Sequence, residues 1–167
     1  MNQSPTNLVI RAFKDRGVRW VLSVPCKALD RLLTAVEADP DLHHLPLTRE
    51  EEGIGLAAGL YLGGQMTALL LQNSGLGNGV NALMSLTRLY RLPLVMVVSH
   101  RGLPGERIGA QTPMGRITPD LLRLAGVYQE TLSSAADLGR LGDLIDHARV
   151  SERPVAALIP PRTWEAA

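Results

Sequence analysis

TREEEGIGLAAGLYLGGQMTALLLQNSGLGNGVN, residues 48–81, carries a helix, a strand and the turn into a second helix in one pass. Three carboxylates, Glu50, Glu51 and Glu52, stand where the helix begins, and acids there complement the positive end of its dipole. Small residues follow, among them Gly53, Gly55, Ala57 and Ala58, which suit close packing. Gly63-Gly64 breaks the helix. Met66 to Leu71 is an unbroken apolar run, the pattern of a strand buried on both faces. Asn73 to Gly79 is then a glycine-rich turn into the next helix.

Working outward, the same alternation continues on both sides. Ser4-Pro5 is a helix start, with Ser as cap and Pro where its missing N–H costs nothing. Gly17 ends that helix, and Val18 to Val24 reads as a strand running into the turn Pro25-Cys26-Lys27. A helix from Leu29 to Ala38 and a short strand from His44 to Thr48 complete the first part. Downstream, the helix after the glycine turn is expected to end near Arg91, before a strand from Leu94 to Ser99. His100 to Gly115 reads as one long loop, Pro119 to Leu124 as a short helix, and the region near Val127 as a strand. A helix from Ala135 to Val150 and a strand from Val155 to Ile159 close the chain. The pattern predicts an α/β fold: a single three-layer domain over residues 1–167, its mostly parallel sheet covered by helices on both faces. In such sheets ligands sit beyond the carboxyl ends of the strands. Those ends carry Lys27, the Thr48–Glu51 segment, the glycine turn, and the loop holding His100, Arg101, Arg107 and Gln111.

Composition excludes several classes. A net charge of +1 and 4% aromatic residues give neither the basic field nor the stacking surface of a nucleic-acid binder. The one cysteine, Cys26, forms no internal disulfide, which fits a reducing compartment. No apolar run is long enough to span a bilayer and no secretion signal is legible, so a soluble, cytoplasmic protein without membrane contact is expected. His43-His44 has no partners at metal-ligand spacing, and no protein metal site is expected.

The residue patterns leave alternatives open. Thr48 followed by Glu51 matches a capping box, so the acids could cap the helix or do chemistry. Gly75-Leu-Gly77-Asn-Gly79 lacks the third glycine of a dinucleotide fingerprint, because Val80 stands there. It is either a ligand-approaching turn or a tight strand-to-helix connection. Lys27, His100, Arg101, Arg107 and Arg116 form either an anion site or solvated surface.

Glu51-Glu-Gly-Ile-Gly-Leu-Ala-Ala-Gly-Leu-Tyr61 resembles the pyrimidine-binding domain of thiamine diphosphate enzymes such as pyruvate decarboxylase and acetolactate synthase. Gly59-Leu60 departs from that pattern, which has an acid followed by glycine. Val24-Pro25-Cys26, Thr48 to Gly53, Gln72 to Asn78, Ser99 to Gly102 and Gln111 to Gly115 together resemble sulfopyruvate decarboxylase alpha subunits and the related phosphonopyruvate decarboxylases. The resemblance implies a thiamine diphosphate-binding fold with Glu51 as catalytic acid, bonding a ring nitrogen of the cofactor's aminopyrimidine and so promoting loss of the thiazolium proton. It implies that Ser74, Gly75 and Asn78, with Glu51, receive the pyrimidine, and that Lys27, His100, Arg101, Arg107 and Gln111 face an anionic 2-oxo acid. Such enzymes hold the diphosphate through Mg2+ with a G-D-G motif and later asparagines; here Leu144 follows Gly142-Asp143, and no asparagine follows Asn81. The implied partner is therefore a beta subunit carrying the diphosphate and Mg2+ half, in a hetero-oligomer with at least two copies of each chain. Sulfopyruvate is the expected substrate, favoured over phosphonopyruvate because enzymes for the latter typically carry both domains on one chain. A non-catalytic assembly subunit with the same fold is the alternative from another class.

Overall fold

The computed structural model describes residues 4–165. Ser4 caps α1 (Pro5–Asp15), its side chain accepting from the Asn7 N–H, as its position before Pro5 requires. β1 (Val18–Ser23), α2 (Asp30–Ala38) and β2 (His43–Pro46) follow, then α3 (Glu50–Leu62) and β3 (Met66–Gln72). A short 3-10 turn, Asn73–Gly75, leads into α4 (Leu76–Ala82), which runs on as a π-helical segment, Leu83–Arg88. β4 (Leu94–Ser99), α5 (Thr112–Leu124), β5 (Tyr128–Thr131), α6 (Ala135–Leu138), α7 (Leu141–Ser151), β6 (Pro154–Ile159) and α8 (Pro161–Glu165) complete the chain.

The sheet has six strands in the order β2-β1-β3-β4-β6-β5, and every pairing is parallel. Residues of the central strands alternate between two cores. Val21, Leu70, Val97 and Ala157 pack with Val9, Phe13, Leu32 and Ile145 from α1, α2 and α7. Leu22, Leu69, Met96 and Leu158 pack on the other face with Ile54, Leu76 and Leu122 from α3, α4 and α5. Helices therefore cover both faces, and β3, β4 and β6 are predominantly apolar and buried along their length apart from the half-buried Gln72, because neither side meets water. Among the described residues no helix is long and apolar enough to cross a membrane.

The chain moves from β1 outward to β2, then returns to place β3 on the other side of β1. A second reversal occurs where β6 inserts between β4 and β5. Each reversal opens a crevice at the carboxyl edge of the sheet.

The segment after β4 differs from expectation. The loop ends at Ile108, and α5 begins at Thr112 rather than Pro119. Pro119 lies inside the helix, where it has no N–H to offer the Gly115 carbonyl four residues back. That carbonyl instead accepts from His100 Nε2 at 3.0 Å, so a side chain from outside repairs the ladder. The expected Ala135–Val150 helix is two helices, α6 and α7, separated around Gly139-Arg140. Gly142-Asp143 lies in the first turn of α7, not in a loop.

Candidate active site

The first turn of α3 gives its glutamates separate tasks. Glu52, not Glu51, bonds back to Thr48: its Oε2 accepts from the Thr48 N–H at 3.1 Å and from Thr48 Oγ1 at 2.9 Å. The N-cap position is Arg49 and carries no side-chain cap, so the expected Thr48–Glu51 capping box does not form and Glu51 is left without that duty. The Thr48 N–H keeps the Glu52 carboxyl below its usual range, with the Thr48 hydroxyl adding to the effect. Glu50 is buried, and its Oε2 accepts from Asn78 Nδ2 at 2.9 Å. Its carboxyl lies in the space that a Cβ on Gly75 would fill, so glycine at 75 is what admits it.

Glu51 is the acid left over. One oxygen faces the largely exposed Arg49 at 3.2 Å, a contact of small energetic weight. The other, Oε2, is buried with no hydrogen-bond partner. A buried acceptor with no donor costs on the order of 1–3 kcal/mol, and a donor arriving from outside the chain would recover it. The side chain as a whole is 36% exposed, so Glu51 stands at the border between solvent and interior with one oxygen buried.

Of the residues expected around the cofactor, Gly75 and Asn78 surround Glu50 rather than Glu51. Ser74 Oγ accepts from Gln72 Nε2 at 2.6 Å, and the same amide donates to Gln111 Oε1 at 3.0 Å. Cys26 Sγ donates to Gln72 Oε1 at 3.7 Å. Gln72 thus ties the loop after β1, the turn after β3 and the start of α5 into one chain of contacts at the first crevice. Gly77, by contrast, has open space where a side chain would stand.

The basic residues divide differently. Lys27 is exposed in the 3-10 turn after β1. Arg101 is committed: its Nε and Nη2 each donate to Glu106 at 2.7 Å. Glu106 also accepts from the N–H groups of Gly102, Arg107 and Ile108, so the loop is wound around this carboxylate. These donors, Arg101 first, hold the Glu106 carboxyl at about 2, against 4.5 ordinarily. A carboxylate with a depressed folded pKa stabilises the fold above its unfolded value and loses that contribution as pH falls toward the folded one. Protection of the Gly102, Arg107 and Ile108 amides, read as exchange relative to the intrinsic rate at each pH, is therefore expected to fall between pH 4.5 and about 2. In Glu106→Gln these amides should show low protection throughout, without the acid-dependent step.

His100 is buried and its Nε2 is occupied by Gly115, which leaves only Nδ1 without a partner. Lys27, His100, Arg101 and Arg107 line a cleft of 1160 Å3 at the second crevice, and Glu51, Ser74, Asn78 and Gln111 do not. The structure thus separates two groups that the sequence reading had merged.

Asn73 was not singled out from sequence, yet it is fully buried and organises both crevices. Its Nδ2 donates to the Arg101 carbonyl at 3.1 Å and to Thr118 Oγ1 at 3.0 Å, and its Oδ1 accepts from the Arg101 N–H at 2.9 Å. Asn73→Ala leaves buried backbone groups unpaired and is expected to cost about 2–4 kcal/mol, read as a lower denaturation midpoint at unchanged m. A polar residue between a doubly buried strand and a helix was the available signal. His44 lies between Ser23 Oγ at 2.8 Å and Glu37 at 3.0 Å, and the described residues hold no cluster fit for a metal ion.

Residues 5–120 match the family model described as thiamine pyrophosphate enzyme, N-terminal TPP binding domain. The chain is 45% identical to sulfopyruvate decarboxylase subunit alpha of Methanothermobacter thermautotrophicus, over 98% of this chain and 100% of that one. It is 37% identical to a sulfopyruvate decarboxylase of Methanosarcina acetivorans, covering 98% of this chain but 42% of that protein. It is 42% identical to phosphonopyruvate decarboxylase of Streptomyces viridochromogenes, over 72% of this chain and 31% of the other. In fold it is similar to Rhodococcus jostii thiamine diphosphate-dependent 4-hydroxybenzoylformate decarboxylase, with a TM-score of 0.77 at 19% identity, over 97% of this chain and 31% of that structure.

Proposed function

The chain belongs to the thiamine pyrophosphate enzymes through their N-terminal TPP binding domain, and on that premise we propose that it is the pyrimidine-binding subunit of a two-subunit decarboxylase. The reaction is a carboxy-lyase step on an anionic 2-oxo acid, sulfopyruvate to sulfoacetaldehyde and CO2. One observation carries the reading: Glu51 Oε2 is a buried acceptor with no donor inside the chain. A ring nitrogen carrying a shared proton is the group it fits.

Thiamine diphosphate, held with Mg2+ through its diphosphate by a beta subunit, would supply the nucleophilic carbon and the electron sink for decarboxylation. Glu51 holds a proton at the pyrimidine nitrogen and becomes effective when the partner's surface covers its exposed side and removes water. Glu50 and Asn78 set the orientation of the first turn of α3 from behind. Gly77, with open space where a side chain would stand, and Ser74 leave room for the pyrimidine edge, while the space at Gly75 is taken by Glu50. Gln111, fixed by Gln72, faces the substrate as a neutral polar group, whereas Lys27 lines the second cleft. Arg101 and His100 hold the β4–α5 loop in shape, being engaged with Glu106 and Gly115.

The end-to-end match with an alpha subunit supports sulfopyruvate. Chain architecture by itself does not, since the M. acetivorans sulfopyruvate decarboxylase is also much longer than this chain. Co-expression with a chain bearing the G-D-G and asparagine motif, followed by CO2 release from sulfopyruvate and phosphonopyruvate in parallel, tests the proposal. Faster turnover of sulfopyruvate is expected. Preference for phosphonopyruvate would reassign the substrate, and no release from either would leave an assembly role instead.

A further inference from the structure

The cleft at the second crevice lies where β6 enters between β4 and β5, at the carboxyl ends of all three strands. Its volume, 1160 Å3, is ample for a small ligand. Two of the side chains lining it are almost wholly buried, His100 at 3% and Trp164 at 6% exposed. Each keeps a ring nitrogen with no hydrogen-bond partner, Nδ1 of His100 and Nε1 of Trp164. Buried ring nitrogens are ordinarily paired, and these two, on side chains lining one cleft, have no partner among the described residues. Around them stand Lys27, Arg31, Arg107 and Arg162, none of them in an ion pair among the described residues. Arg101 is neutralised by Glu106, which among the described residues leaves Asp30 as the one opposing carboxylate on the lining.

We propose that this cleft is a binding site for a tetrahedral oxoanion of the phosphate, phosphonate and sulfonate class, seated on His100 and Trp164 and enclosed by Arg31, Arg107 and Arg162. Donors converge on it from three directions: the turn and helix after β1, the loop after β4, and α8 after β6. That arrangement suits oxygens arrayed around a centre better than the two coplanar oxygens of a carboxylate. The Trp164 N–H is a fixed donor. His100 already donates its Nε2–H to Gly115, so its neutral form presents a lone pair at Nδ1 and would repel an anion. Binding therefore takes up a proton at Nδ1. The charged groups on the lining that bear on this proton are Asp30 and Glu106, which favour it, and Lys27, Arg31, Arg101, Arg107 and Arg162, which oppose it until the anion arrives. The site stands on the cleft alone and does not depend on the decarboxylase reading.

The test uses inorganic phosphate and the full chain. The chain has two tryptophans, Trp20 and Trp164, so in a Trp20→Phe background the indole emission reports Trp164 alone. Saturable phosphate binding with a change in that emission is expected, together with net proton uptake seen calorimetrically in buffers of different ionisation enthalpy. Arg162→Gln and His100→Gln, the latter retaining a donor for Gly115, should each weaken binding about tenfold, or ~1.4 kcal/mol. His100→Gln should also abolish the proton uptake. Competition between sulfopyruvate and phosphate would support the site with the substrate's own acid group as occupant. Phosphate binding without such competition would support it with free oxoanion as occupant. The proposal is overturned if the folded chain shows no saturable phosphate binding, or if binding is equally tight in Arg162→Gln and His100→Gln.

Discussion

Glu51→Gln, assembled with its partner subunit, is expected to lower decarboxylation about 10²–10⁴-fold, the range for losing a positioned acid–base group. The amide keeps the volume and can still reach Arg49, but it cannot hold or share the proton. Folding should be unaffected, because the bonds to Thr48 belong to Glu52 and the buried contact with Asn78 belongs to Glu50. The neighbouring substitutions make the contrast. Glu52→Gln should cost a little stability and leave turnover nearly intact. Glu50→Gln should act through stability and the placement of the glycine turn. If Glu51→Gln turned over normally while Glu50→Gln did not, the working acid would be Glu50.

The largest structural effect is expected from Gly115→Ala, which should destabilise the chain by about 3 kcal/mol or more, the range of severe overpacking. An added Cβ at 115 would lie 2.5 Å from the Arg101 carbonyl and 2.6 Å from Gly102 Cα, backbone atoms that have no rotamer to yield. Gly102 is equally constrained, with φ at +83° and the Gln111 backbone against it. These two glycines press the loop after β4 onto the first turn of α5, which is how Gln111 comes within reach of Gln72. Activity should fall with stability, since Gln111 moves when the contact opens. Gly109→Ala serves as the control: it has open space around its Cβ position and should be nearly silent in thermal or chemical denaturation.

The fold was legible from the sequence because its signals are local. Continuous apolar runs marked the strands that are buried on both faces, and Ser4-Pro5 and Gly63-Gly64 marked helix ends. α5 was hidden for the opposite reason. Gly115 and Pro119 argue against a helix locally, and what overrides them is non-local: Gly102 needs Gly115's bare backbone, and His100 bonds the carbonyl that Pro119 cannot serve. α8 was missed because Pro160-Pro161 reads as a stop, although Pro161 is its first residue. Glu51 stood out from Glu50 and Glu52 only through family resemblance, for spacing cannot show which carboxyl meets Gly75 and which meets Thr48. Arg101 illustrates the limit for charged residues. Four residues separate it from Glu106 in a glycine- and proline-rich loop, and only the folded loop shows that the two are paired.

Hydrogen–deuterium exchange at the thiazolium carbon of thiamine diphosphate, followed in the presence of Mg2+ with this chain alone, the partner alone and the two mixed, tests the shared site most directly. Fast exchange is expected only in the mixture, and it should collapse when the mixture carries Glu51→Gln. Exchange equally fast with the partner alone, or undiminished by the substitution, would contradict the assignment of cofactor activation to Glu51.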